Sequence, residues 1–436
     1  MVQRIPRRVS TALINSLSAG VVPRIGLEYV AVGRAEEIKA LLLDLEDIAA
    51  GGASFRLIVG RYGSGKSFLL QLLRNHAMDR GFVVADADLS PERRLSGTNR
   101  QGVATYRELM KNLATKTRPD GGALAAILER WISGIETEVA SQTGLGLRDQ
   151  AFLQAVESRI MDVVGSMEGL VHGFDFATVL SSYWRGHRLG DEDLQDAALR
   201  WLRGEFATKT DARAALGVRV IVDDDSWYDY VKLLARFVTS IGYQGMIVLL
   251  DEMVNLYKIS HSLSRQSNYE KLLTMFNDTM QGKAENLGIV VGGTPQFVED
   301  ARRGLYSYEA LRSRLAESRF LQAGLRDTSS PILRLQPLTY EELFVLLTRL
   351  HDVYAVHFQQ EISLSVDELT AFLQEAVNRL GALQMLTPRE IIRDFITVLN
   401  LLRQNPELSF AELVQTAEWQ QQQQKRAEDE LAEFVL

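Results

Sequence analysis

Short apolar runs alternate with stretches of helical periodicity along much of the chain. Residues 55–59 (FRLIV) form a mostly apolar run that stops at Gly60, which predicts a buried strand. A glycine-rich turn follows, and residues 68–77 (FLLQLLRNHA) return to a helical period. Four further runs read as strands: 82–85 (FVVA) ending at Asp86, 246–250 (MIVLL) ending at Asp251, 287–291 (LGIVV) ending at Gly292 and Gly293, and 332–335 (ILRL) after Pro331. Five short apolar strands separated by helices predict a parallel sheet covered on both faces. In such a sheet ligands bind beyond the carboxyl ends of the strands, so the polar residues that end these runs are the ones to inspect.

Two regions fall outside this scheme. Residues 89–219 are mostly amphipathic helix and too long for a connection, which predicts a helical insertion. From about residue 339 to the end the pattern is all helical. Thr339 with Glu342 and Thr387 with Glu390 have the spacing of capping boxes, and Pro388 occupies the first helical position of the second. The last predicted helix starts at Phe410 and runs through a Gln tract (420–424) into a charged tail.

Composition narrows the classes. At 436 residues the chain exceeds one ordinary core and suggests two or three structural units. The formal charge of −8 argues against a wrapper of nucleic acid but leaves a local basic face open. With no cysteine, disulfides, thiolate metal sites, iron–sulfur clusters and cysteine nucleophiles are excluded. The six histidines show no HExxH-like spacing, which speaks against a zinc enzyme. No apolar stretch is long enough for a membrane span, and the N-terminus does not read as a secretory signal, so the expectation is a cytoplasmic protein.

The turn after the first strand carries the candidate chemistry. Gly60-Arg61-Tyr62-Gly63-Ser64-Gly65-Lys66-Ser67 fits GxxxxGK[ST] without deviation. Gly60, Gly63 and Gly65 let the backbone curl so that successive N–H groups, with those of Ser64 and Phe68, point at phosphate oxygens. A helix starting near Lys66 adds its positive end. Lys66 brings a point charge to the β- and γ-phosphates, and the Ser67 hydroxyl can ligand Mg²⁺.

The strand at 246–250 ends in Asp251-Glu252, a Walker B pattern. Asp251 is expected to hold Mg²⁺ and Glu252 to polarise the attacking water. Asp223, Asp224 and Asp225 form a second acidic cluster, which reads as a solvated turn favouring a helix N-terminus rather than as a metal site. Thr294 follows the fourth strand, in place to sense the γ-phosphate. Arg314, with Arg312 as fallback, precedes the fifth strand and is placed to reach a neighbouring subunit's nucleotide as an arginine finger. Arg389 lies in the first turn of a helix, where a cation is unfavourable, and a nucleotide phosphate would compensate it. Gly33 and Arg34 precede another helix and are candidates to flank the adenine and ribose.

The order Val32-Gly33-Arg34, phosphate loop, Asp251-Glu252, Gly293-Thr294, Ser313-Arg314 and C-terminal helices resembles the AAA+ and origin-recognition-like branch of P-loop ATPases. Residues 216–219 (LGVR), Trp227-Tyr228-Asp229, 241–245 (IGYQG) and Thr387-Pro388-Arg389-Glu390 resemble, more closely, the ATP-binding proteins of BREX-type phage-defence systems. The resemblance implies an α/β P-loop ATPase, AAA+-like, with a five-stranded parallel sheet, a large helical insertion and a C-terminal helical lid. The expected organisation is an N-terminal segment (1–50), an ATPase core (51–88 and 220–336), an insertion (89–219) and a lid (337–436).

The activity so implied is that of an oligomeric, Mg²⁺-dependent ATPase of a bacterial anti-phage system. It would load onto or remodel DNA, or partners on DNA, beside a helicase or other defence protein. Candidate DNA contacts are Arg4, Arg7, Arg8, Arg93, Arg94 and Arg100. The alternative is an ATP-controlled assembly switch or scaffold with little turnover. A small-molecule kinase would leave Arg314, the lid and the insertion without a role.

Overall fold

The computed structural model describes residues 5–146, 149–316, 327–360, 364–380 and 386–415. In chain order its elements begin with α1 (Arg7–Ser18), α2 (Ala35–Ala49), β1 (Ala53–Val59), α3 (Lys66–Asp79) and β2 (Val83–Asp88). Seven helices follow: α4 (Gln101–Lys111), α5 (Leu124–Thr143), α6 (Gln150–Glu168), α7 (Gly173–Leu189), α8 (Glu192–Leu202), α9 (Lys209–Leu216) and α10 (Trp227–Ser240). Then come β3 (Met246–Asp251), α11 (Val254–Tyr257), α12 (Ser262–Met280), β4 (Leu287–Gly293), α13 (Pro295–Glu299), α14 (Glu309–Leu315) and β5 (Ile332–Arg334). The C-terminal part holds α15 (Tyr340–Phe358), α16 (Val366–Leu380), α17 (Pro388–Gln404) and α18 (Phe410–Gln415). Arg4 and the Gln tract lie outside the described residues.

The five strands form one sheet in the order β2-β3-β4-β1-β5. β1 runs parallel to β4 with Val59 opposite Gly293, and β2 runs parallel to β3 with Asp88 opposite Asp251. Parallel strands are buried on both faces, which is why these segments are near-continuous apolar runs. The exception is Arg56, buried in the middle of β1. It pairs with Asp44 at 2.6 Å and donates to the carbonyls of Thr328 and Ser330. β2 continues three residues past the end of the apolar run, because the alternating Ala-Asp pattern of 85–88 keeps pairing with β3.

Contacts divide the chain into two compact units. One comprises Ala40–Val59 and Leu73–Leu333. Its core joins the sheet to α4–α10 and α12, with Trp201 and Trp227 fully buried. Their indole N–H groups donate to the carbonyls of Val220 and Leu95, so burial leaves neither donor unsatisfied. The acidic triplet serves this unit structurally. Asp223 accepts from the backbone and hydroxyl of Ser226 ahead of α10, and Asp224 accepts from the N–H of Val103.

The other unit contains the described residues of Met1–Lys39, Gly60–Leu72 and Arg334–Leu436. Its core packs α1 against α15 and α17 through Leu13, Ile14, Leu347, Leu350, Phe395 and Leu399. Full burial of each such leucine contributes about 1.5–3 kcal/mol. Both predicted capping boxes form: Thr339 and Glu342 start α15, and Thr387 and Glu390 start α17 behind Pro388.

Candidate functional site

The phosphate loop begins at Gly60, directly after β1, and ends where Lys66 and Ser67 open α3. Gly63 and Gly65 have φ of +74° and +98°, a region that side chains with a Cβ avoid. The Lys66 ammonium donates to the carbonyls of Gly60 and Arg61, both at 2.9 Å, and so lies in the mouth of its own loop. Ser64 Oγ is buried without a hydrogen-bond partner. A buried orphan hydroxyl beside a lysine and a helix N-terminus fits an oxygen-rich anion. Ser67 is half-buried, and Phe68 packs against the helical core beside the loop.

Of the two predicted flanking residues, Arg34 reaches this loop and Gly33 lies against the start of α15. Arg34 is buried; it donates to the carbonyls of Gln336 at 2.8 Å and Ser64 at 3.1 Å, and pairs with Glu37. Gly33 lies close under α15, where a Cβ would come within 2.7 Å of Glu342 Cδ. The N-terminus of α17 also abuts the loop. A Cβ on Gly63 would fall 2.8 Å from Thr387 Oγ1 and 3.4 Å from Arg389 Cβ. The Arg389 guanidinium sits over the Tyr62 ring, 5.0 Å from its centroid. Arg389 is thus beside the phosphate loop, where its spacing from the other motifs gave no geometric guide.

In the sheet unit, the strand ends carry the acidic residues. Asp251 closes β3, and its carboxylate accepts from the backbone N–H of Glu252 at 2.8 Å. Glu252 has φ +57°, a left-handed conformation that costs a side-chain-bearing residue of order 1–3 kcal/mol. Such strain persists only where the surroundings impose it, and it gathers at functional positions.

Asp88 stands opposite Asp251 at the end of β2. Burial first, then the charges of Asp251 and Asp86, push its carboxyl above the usual carboxylate range. The apolar pattern did not mark Asp88 because its run ends earlier.

A hard divalent cation suits these oxygens. Among the described residues no group of three or more His, Cys, Asp or Glu could hold a metal ion by itself. Mg²⁺ takes one or two protein oxygens and fills its shell from phosphate and water. Asp251 and the Ser67 hydroxyl are of that chemistry.

Thr294 follows β4 and caps α13. Its oxygen accepts from the N–H of Phe297 at 3.2 Å, which leaves its hydrogen to donate. Arg314 is exposed at the end of α14, with Nε on Asn277 Oδ1 and Nη1 on the Ala310 carbonyl, each at 2.9 Å. Arg312, also exposed, has no side-chain partner among the described residues.

The basic residues separate into two sets. Arg93 bonds the Asp88 carbonyl and pairs with Glu108, Arg100 bonds the Phe206 carbonyl, and the Nε of Arg94 is buried. Arg93 and Arg100 are thus spent on the fold. Arg7 and Arg8, in the first turn of α1, are exposed and make no ion pair among the described residues. No helix among the described residues is long and apolar enough to cross a membrane.

No curated protein matches the chain. A family model described as "BREX system ATP-binding protein BrxC/D" matches residues 5–418, nearly the whole length and every motif above. The phosphate loop with its lysine, the acidic end of β3 and this match together place the chain in the family of BREX system ATP-binding proteins, BrxC/D.

Proposed function

We propose that this phage-defence ATP-binding protein hydrolyses ATP and works as an oligomer on DNA or on DNA-bound partners. The loop of Gly60, Gly63, Ser64, Gly65, Lys66, Ser67 and Phe68 would hold the phosphates through backbone N–H groups and the Lys66 charge. Bound by Ser67 and Asp251, Mg²⁺ would supply neutralising charge to the phosphate oxygens. Glu252 would accept a proton from water, Thr294 would donate to the terminal phosphate, and Arg389 would meet phosphate charge. Gly33 and Arg34 would brace the loop and flank the base. In this fold class the scheme corresponds to an AAA+-like ATPase, with α4–α9 as an insertion and α15–α18 as a lid.

Across a subunit boundary an arginine finger would stabilise transition-state charge. Arg312 is the freer of the two candidates, because Arg314 is tied to Asn277. On DNA, Arg7 and Arg8 are the stronger phosphate contacts, since they make no ion pair among the described residues. A helicase or another defence protein is the expected partner.

The observation that carries hydrolysis is the left-handed backbone of Glu252 immediately after Asp251. The test is steady-state ATP turnover of Glu252→Gln beside ATP affinity. Loss of a general base lowers turnover by about 10²–10⁴-fold while binding persists. Unchanged turnover would sink the assignment. A second reading, an ATP-controlled scaffold, is favoured by one feature: Val171, Phe174 and Leu189 on and beside α7 are each about two-thirds exposed. For a scaffold, Glu252→Gln would keep or enhance partner recruitment.

A further inference from the structure

Tyr62 has no phosphate chemistry of its own, yet it occupies the phosphate loop with 55% of its surface exposed. Its ring is nonetheless engaged, because the Arg389 guanidinium lies over it at 5.0 Å. The aliphatic stem of Arg389 is confined on two sides. A Cβ on Gly63 would be 3.4 Å from Arg389 Cβ, and a Cβ on Gly20 would be 3.8 Å from Arg389 Cγ. The capping box of Thr387 and Glu390 fixes the backbone from which that stem departs. Arg389 is the second residue of α17, where the helix end repels a cation. The negative face of the Tyr62 ring offsets that repulsion and gives the guanidinium one preferred seat.

We propose that Tyr62 is a positioning residue: its ring holds Arg389 against the phosphate loop, so that the cation is in place when a terminal phosphate arrives. This rests on the reading of Arg389 as a phosphate contact. The γ-phosphate adds negative charge that ADP lacks, so a seated Arg389 favours ATP over ADP, and a displaced one does so less. The hydroxyl of Tyr62 plays no part; the ring face does.

Calorimetric titration of the full chain with ATP and with ADP, both with Mg²⁺, tests this. Tyr62→Leu should lower the ATP-to-ADP affinity ratio by about two- to fivefold, the range expected for an exposed cation–ring contact. Tyr62→Phe should keep the ratio. In an Arg389→Ala background, Tyr62→Leu should add nothing. If Arg389→Ala lowers the ratio but Tyr62→Leu does not, the positioning role is wrong while the Arg389 reading stands. A Tyr62→Leu variant that weakens ATP and ADP equally also overturns it, because that is the signature of a damaged loop. If Arg389→Ala itself leaves the ratio unchanged, the underlying reading fails and the proposal with it.

Discussion

Arg34 donates from one nitrogen to the carbonyl of Ser64 at 3.1 Å and from another to the carbonyl of Gln336 at 2.8 Å. A loop that turns its N–H groups inward turns carbonyls outward, and Arg34 takes hold of one of these outer carbonyls. The planar fork is what lets one residue bridge two chain segments, and a lysine lacks it. Arg34→Ala and Arg34→Lys are therefore both expected to weaken ATP binding by about 1–3 kcal/mol, the scale of hydrogen bonds to a charged donor. Isothermal titration with ATP checks this, and affinity equal to the parent in Arg34→Ala would show that the loop keeps its shape unaided.

Gly63 is constrained twice, by φ of +74° and by Thr387 Oγ1 lying 2.8 Å from where a Cβ would sit. Gly63→Ala should cost about 1–2 kcal/mol for the left-handed backbone alone, and more for the clash. Thr387→Gly, which costs only a few tenths as a cap replacement, should relieve the second part. The double variant is then more stable than the sum of the single losses predicts. Thermal melts of the four proteins measure the coupling, and simple additivity would mean that α17 is not pressed against the loop.

How far the sequence spoke depended on the range of the signal. Buried parallel strands are continuous apolar runs, so β1, β3 and β4 could be placed from short windows. The phosphate loop and both capping boxes are also local patterns with fixed spacing, and the loop geometry and caps appear where those patterns sit. What was illegible is non-local or conformational. Helix α1 was hidden because its first turn is basic and its buried apolar residues are few, Leu13, Ile14 and Leu17. Those residues become informative only against α15 and α17. Arg56 inside β1 makes sense only with Asp44 and two carbonyls far along the chain. The left-handed backbone of Glu252 leaves no trace in residue identity.

Arg7 and Arg8 carry charge that nothing in the described protein neutralises, whereas Arg93 and Arg100 are bonded within the fold. If DNA is a ligand, Arg7→Ala with Arg8→Ala should reduce the slope of log affinity against log salt by about 2, close to one unit per phosphate contact. Arg100→Ala should leave the slope alone and lower the melting temperature instead. Fluorescence anisotropy of labelled duplex across a salt series separates these cases. An unchanged slope in the double variant would remove α1 from the DNA surface.

His357, near the end of α15, lies with its Nδ1 3.1 Å from Ser10 Oγ on α1. Burial first, then the positive charges of Arg7 on α1 and Arg403 on α17, lower its pKa below the ordinary histidine value of 6.5. The folded protein thus disfavours protonation more than the unfolded chain does. The sign follows: the stability contributed is fully present above about pH 6.5 and is lost as pH falls below that value toward the folded pKa. His357→Gln removes the titration and can still bond Ser10. Between pH 7.5 and 5.5 the parent should lose melting temperature relative to His357→Gln, and the gap should close or reverse at the acid end. A difference that stays constant across that window would mean that neither burial nor the charges of Arg7 and Arg403 shift His357 in the folded protein.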